Sequence, residues 1–157
     1  MFYETSEHPL DKKFRLFVPK RLQEGLERDA EGNLVVWITR GQDGCLFLMS
    51  DSTYRRSMEN LDLRAFTTRE QRIKQRRMFK DTACVALDAS GRLLLGERQR
   101  RLIELEENAE GKVVVVLVGA GSRVELWPLR RWEEEEALID AEEVDLIEVD
   151  RRGVGEA

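Results

Sequence analysis

One pattern of residues runs through this chain of 157 residues twice, and a repeat of this kind limits the folds open to it. The first copy opens Asp11-Lys12-Lys13-Phe14-Arg15-Leu16-Phe17-Val18-Pro19, the second Asp88-Ala89-Ser90-Gly91-Arg92-Leu93-Leu94-Leu95-Gly96. Each continues into a charged stretch with leucines at helical spacing, Leu22 and Leu26 in one, Leu102 and Leu105 in the other. Turns follow at Glu31-Gly32-Asn33 and Glu110-Gly111-Lys112, then β-branched runs at Leu34–Ile38 and Val113–Leu117. Glycine loops (Gly41 and Gly44; Gly119 and Gly121) lead to second strands at Cys45–Leu48 and Arg123–Leu126, and then to helices carrying Tyr54 and Trp132. Asp11 and Asp88 are offset by 77 residues, and Gly41 and Gly119 by 78. Neither half alone has the surface to build a sizeable core, and residues 11–50 and 88–127 are expected to superpose as two units sharing one interior.

Local signals set the expected elements. Asp88-Ala89-Ser90-Gly91 has Asp first and Gly fourth, as a type I turn prefers. Strands are predicted on either side of it, at Cys84–Leu87 and Arg92–Leu95. The first copy has Phe14 where the second has Gly91, which carries a steric cost if the backbone there takes a positive φ. Two helical stretches lie between the copies. Asp51 or Ser52 is the predicted cap of the first, with Tyr54, Met58 and Leu61 on one stripe. Thr67-Thr68-Arg69-Glu70 reads as a capping box opening the second.

The spacing Asp-x-x-x-Arg is weak taken singly, because Asp51 and Arg55 match it on a predicted helix where such pairs are routine. Asp11/Arg15 and Asp88/Arg92 stand apart: each sits at a turn, precedes an apolar strand and occupies the same place in the repeat. The Asp can bond the turn backbone or pair with the Arg, and either contact orients a guanidinium suited to phosphate or guanine edges. The competing reading, an ion pair that only fixes the turn, has equal weight on spacing alone. A second basic feature is the helix after Thr67, with Arg69, Arg72, Lys74, Arg76, Arg77 and Lys80. Its simplest reading is a solvated face with Ile73, Met78 and Phe79 packed inward.

Other chemistries find little support. His8 is the single histidine, with no nucleophile marked out beside it, and it is read as a hydrogen-bonded turn residue. His8, Cys45 and Cys84 are too few and scattered for a structural zinc site, so no catalytic residue, metal or cofactor is expected. Both cysteines sit among apolar neighbours and read as buried free thiols. Gly119-Ala120-Gly121 lacks the third glycine of a dinucleotide fingerprint, and Glu133–Glu136 reads as a helix face or an N-terminal turn. No apolar run approaches a membrane span, and the N-terminus lacks a signal-peptide pattern, so a cytoplasmic protein is expected. The net charge of −5 hides an asymmetry: residues 1–80 hold 16 basic and 12 acidic residues (+4), and residues 81–157 hold 10 and 19 (−9).

Taken together, several stretches resemble the MraZ family, relatives of the AbrB-type transition regulators. They are Met1-Phe2; Glu7-His8; Leu10-Asp11-x-Lys13-x-Arg15-Leu16 with Pro19; Thr39-Arg40-Gly41-x-Asp43-Gly44-Cys45-Leu46; Leu117-Val118-Gly119; Glu125-Leu126-Trp127; and Arg131-Trp132. Departures include Phe14 for a glycine, Cys84 for an acidic residue, and Gly96-Glu97 and Lys80-Asp81 at the edges of the second motif. The resemblance implies an α+β fold, a double swapped-hairpin β-barrel with pseudo-twofold repeat and peripheral helices. Residues 1–138 would form it, as repeats at about 1–60 and 82–138 joined by a helical segment at 61–81, with 139–157 an acidic tail. It also implies a nucleoid-associated, sequence-specific DNA-binding regulator that represses its own division and cell wall gene cluster. Its partners would be double-stranded DNA carrying direct repeats and further copies of itself in a ring. Arg15 and Arg92 would touch DNA, Lys13 would assist in the first copy, and Asp11 and Asp88 would orient the arginines. Two alternatives stay open: an AbrB-like antitoxin, suggested by the acidic segment after Asp140, and an oligomeric scaffold that has lost DNA binding, suggested by Phe14 and the acidic second half.

Overall fold

Four of the seven strand pairings in this chain join one copy of the repeat to the other. The computed structural model describes residues 1–142. The first half runs β1 (Thr5–Pro9), β2 (Arg15–Phe17), α1 (Lys20–Gln23), β3 (Glu27–Arg28), β4 (Leu34–Arg40), β5 (Leu46–Met49) and α2 (Asp51–Ser57). Helix α3 (Arg69–Phe79) links it to β6 (Ala83–Ala86), β7 (Arg92–Leu94), α4 (Glu97–Leu102), β8 (Val114–Gly119), β9 (Val124–Pro128) and α5 (Leu129–Ala141). β1 pairs with β8 of the second copy, and β6 pairs back with β4 of the first, both antiparallel. The exchange is mutual in register: His8 stands opposite Val115, and its counterpart Val85 stands opposite Val36. The two strands flanking each turn therefore part company, one joining the large sheet and the other a small ribbon of β2 and β7.

β5 and β9 meet at the centre, where Phe47 faces Glu125, its own counterpart in the repeat. An approximate twofold axis passes there. Loop details repeat as well. Asp29 Oδ1 accepts from the N–H groups of Glu31 and Asn33, and Asn108 Oδ1 accepts from those of Glu110 and Lys112. One core runs through both halves. It takes Leu16, Ile38 and Leu46 from the first and Leu93, Leu117 and Leu126 from the second, all at most 1% exposed. Burying each such side chain stabilises the fold by about 1.5–3 kcal/mol, which ties the halves together.

The structure corrects several expectations. The β-barrel does not close: the seven-stranded sheet runs β1-β8-β9-β5-β4-β3, with β6 also on β4, and its ends do not pair. β3 is only two residues long, and after Pro9 the chain turns β2 into a separate ladder with β7, so nothing spans the gap. Helix α3 buries none of its residues; Ile73, Met78 and Phe79 are 42%, 40% and 39% exposed, because no element of the described chain covers them. Cys45 is buried, but Cys84 is exposed, since strand alternation turns it outward on β6. Ser50, not Asp51 or Ser52, caps α2, and the capping box of α3 is Thr68 with Gln71, one residue later than the sequence suggests. Of the two readings of Glu133–Glu136 the helix face holds and the N-terminal turn does not, since they lie in mid-helix on α5. Of the expected tail, residues up to Glu142 finish α5, and 143–157, with most of the acidic segment behind the antitoxin reading, lie outside the described residues.

Candidate nucleic-acid interface

The turn before β2 and the turn before β7 are built by the same hydrogen bonds. Asp11 Oδ1 accepts from the backbone N–H of Lys13 and of Arg15, each at 2.9 Å. Asp88 Oδ1 accepts from Ser90 and Arg92 at the same distances. The second carboxylate oxygen accepts from the arginine side chain: Arg15 Nε to Asp11 Oδ2 and Arg92 Nε to Asp88 Oδ2, both 2.8 Å. The two contacts open to each Asp, the turn backbone and the arginine side chain, are thus both made by one carboxylate. The Arg15 N–H foremost, then its guanidinium and the Lys13 N–H, outweigh partial loss of water and hold Asp11 below the ordinary 3.8. Asp88 is lowered in the same way by Arg92 and Ser90. Both therefore stay ionised at neutral pH. A half-exposed ion pair adds little stability. What it does here is fix the guanidinium by its inner nitrogen, and among the described residues neither arginine uses Nη1 or Nη2 in a bond within the chain.

The ribbon decides where these arginines lie. Arg15 is opposite Leu94, Leu16 opposite Leu93, and Phe17 opposite Arg92. The ladder is extended by Val18 N–H to Gly91 O and Leu95 N–H to Phe14 O, each 3.0 Å. Alternation sends Leu16, Val18, Leu93 and Leu95 into the core. The other face holds Arg15, Phe17, Arg92 and Leu94, with Phe17 62% and Leu94 49% exposed. Two residues of strand, about 7 Å, separate the arginines along the ribbon. Arg92 also lies over the Phe17 ring, 5.8 Å from its centroid. Lys13 is exposed in the first turn, beside Arg15.

Phe14 does take a positive φ, 62°, where Gly91 has 79°. Its ring lies under Arg100, whose guanidinium carbon is 3.6 Å from the centroid while Nη1 donates to Leu95 O at 2.7 Å. In the other copy Gln23, the counterpart of Arg100, donates from Nε2 to Val18 O at 2.8 Å and lies over Gly91. A Cβ on Gly91 would come within 2.5 Å of that nitrogen. Spacing did not single out Phe17, Leu94, Arg100 or Gln23; the signal available was the alternation Arg-x-Phe and Arg-x-Leu after each turn.

The remaining candidates lie elsewhere. Asp51 and Arg55 form the expected i,i+4 pair on α2, with Asp51 also accepting from Trp37 Nε1. His8 Nε2 is 2.7 Å from Ser6 Oγ, which accepts from Arg21 Nη2. Burial, then the Arg21 charge, lowers its pKa from 6.5. Burial pushes Cys45 up to about 12, leaving it an unreactive thiol. A cavity of about 580 Å³ beside the start of α5 is lined by Glu104, Glu106, Glu107, Glu133 and Glu134 together with Lys112, Arg130 and Arg131. No group of metal-ligating side chains is found among the described residues, and none of their helices is long and apolar enough to cross a membrane.

Comparison with known proteins places the sequence in a family. The sequence model of the MraZ protein family, described as antitoxin-like, fits the chain twice, over residues 1–77 and 78–155. The chain is 37% identical over 146 residues to the transcriptional regulator MraZ of Heliobacterium modesticaldum, covering 92% of this chain and 94% of that protein. It is 37% identical over 134 residues to the transcriptional regulator MraZ of Pediococcus pentosaceus, covering 85% of each. With that of Pelotomaculum thermopropionicum it shares 35% identity over 133 residues, 85% of this chain and 83% of the relative. Two family matches, one per copy of the repeat, together with these identities over most of the chain, establish that the protein belongs to the MraZ family.

Proposed function

We propose that this protein is a sequence-specific DNA-binding transcriptional regulator that represses its own division and cell wall gene cluster, gripping direct repeats with the β2–β7 ribbon. The observation that carries this reading is the placement of Arg15 and Arg92 on the outer face of one ribbon, each tethered through Nε. A two-stranded antiparallel ribbon fits the major groove. A guanidinium held from behind presents its terminal nitrogens to guanine edges or phosphates at little further entropic cost. Lys13 adds a charge near Arg15. The names of the relatives, transcriptional regulators, support the same reading. The net charge of −5 does not oppose it, because screening confines each surface charge to about 8 Å at physiological salt.

One subunit offers few contacts, so affinity comes from several copies on one DNA. The apolar side chains left open between and on the linking helices, Leu63, Phe66, Ile73, Met78 and Phe79, support assembly into a homo-oligomer, which we read as a closed ring. Sites then recur at about one helical turn, roughly 10 base pairs, and joint engagement multiplies affinity. A shift assay with the protein's own upstream DNA tests the reading. Arg15→Ala is expected to cost about 1–3 kcal/mol per engaged subunit, and binding weakens steeply as salt rises. Circular dichroism and oligomeric mass stay unchanged. Parental binding by both Arg15→Ala and Arg92→Ala would end it.

A further inference from the structure

Resting on the proposed DNA-binding reading, we infer that Phe17 and Leu94 determine sequence preference by docking on the C5-methyl groups of thymine in the major groove. The two side chains occupy one face of the β2–β7 ribbon, in alternation with the tethered arginines: Arg15 opposite Leu94, Phe17 opposite Arg92. Strand alternation has already filled the core from the other face, with Leu16 and Leu93 at 1% and 0% exposure. Phe17 and Leu94 therefore add nothing to the interior, yet they stand 62% and 49% exposed.

An apolar side chain fixed between two cations has few suitable partners. A second copy of the chain would have to desolvate Arg15 and Arg92 to cover it, and their carboxylate partners are already taken up within the turns. A duplex groove satisfies both kinds of group at once. Guanine edges and phosphates accept from the arginines, and the thymine methyl is the one apolar feature on a major-groove base edge. The Phe17 ring has a second task, since Arg92 lies over it and is steadied by its face. The ribbon thus offers each half-site a cation and an apolar group: Arg15 across from Leu94, Arg92 across from Phe17.

The test removes the methyl groups without touching the protein. Duplexes of about 200 base pairs from upstream of the gene are amplified with either dTTP or dUTP, and binding of the full chain to each is measured by shift assay. The thymine duplex is expected to bind more tightly, by about fourfold per methyl contacted. In the Phe17→Ala/Leu94→Ala double variant, the ratio between the two duplexes falls to about one, with its folding checked by circular dichroism. Equal binding of both duplexes by the parent overturns the inference, as does an unchanged ratio in the double variant. Failure of the parent to bind the thymine duplex above random DNA instead removes the DNA-binding reading and this inference with it. Loss of binding in Arg15→Ala together with equal use of both duplexes by the parent leaves the regulator reading standing and discards only the methyl contacts.

Discussion

The turn at Asp11–Arg15 and the turn at Asp88–Arg92 share every hydrogen bond of their frame and differ in what fills it. Both carboxylates accept two backbone N–H groups and one guanidinium N–H, at distances equal to within 0.1 Å. Yet the third residue after the Asp is Phe14 in one and Gly91 in the other, at φ 62° and 79°. The left-handed region costs a side chain about 1–2 kcal/mol and costs glycine nothing. What differs along with it is the residue overhead: Arg100 stacks on Phe14, while the neutral Gln23 lies over Gly91. The exception is thus a matched pair across the repeat. The ring that strains the first turn is held by a cation from the second half, and that cation also ties Leu95 O. Duplication fixes the frame of a functional turn, and the filling can then drift as long as both halves change together.

The inner face of the ribbon is where the halves should prove equal. Leu16→Ala and Leu93→Ala remove side chains of 1% and 0% exposure from the same core, and each is expected to lower unfolding free energy by about 2–5 kcal/mol. Urea titration checks this, and a cost confined to one of them would break the equivalence. At the turns the halves should part. Gly91→Phe combines left-handed strain with a clash against Gln23 and is expected to destabilise by about 2 kcal/mol, whereas Phe14→Gly should stabilise by up to about 1 kcal/mol after losing the Arg100 contact. The matched pair can be read by a cycle: Arg100→Ala should cost more in the parent than in Phe14→Gly, and equal costs would dissolve the coupling.

Much of this is legible in the sequence. Asp88 followed by Gly91 specified its turn, and the β-branched runs in β4 and β8 specified their strands, because both signals act within a few residues. That the sheet stays open was not legible. Which strand pairs with which depends on contacts between Pro9 and Val114 or Cys84 and Trp37, far apart in the chain, and periodicity carries no trace of them. Helix caps slipped by one residue because Ser50-Asp51-Ser52 and Thr67-Thr68 present several competent hydroxyls or carboxylates in a row. The apolar stripe of α3 was real, but a stripe announces only that something covers it, and Ile73, Met78 and Phe79 find no cover in the described chain. At the candidate site the Asp and Arg pairs stood out by repetition. Phe17 and Leu94 did not, since an apolar residue in a strand reads as core until the ladder shows which face it occupies.

Two smaller tests sharpen the comparison. Pro19 precedes α1, and its counterpart Gly96 precedes α4 with φ −66°, a value proline already has. Gly96→Pro is therefore expected to raise stability by about 0.4–1 kcal/mol, with only the Gln99 side chain needing to shift. A fall in melting temperature would mean the two helix starts are less alike than their backbones. The smallest effect is a slope. His8 stands where the second half has Val85, and its pKa is lowered by burial and Arg21. The native state then binds fewer protons than the unfolded one, so stability is full above pH 6.5 and declines as pH falls through that value. His8→Val should flatten this decline, as thermal melts between pH 5 and 7.5 can show.

The mutual exchange of β1 and β6 also sets a timetable. A ribosome finishing the first half has released no finished half, because β1 waits for β8, and the core beneath both repeats cannot close until Leu126 has emerged. Pairing across such a span is slow compared with the growth of local helices, and the early chain meanwhile holds open strand edges. The protein thus becomes competent in a single late event. A message cut anywhere before β7 should yield a chain that exposes its unpaired strands and carries the Asp11–Arg15 turn on a ribbon with only one side.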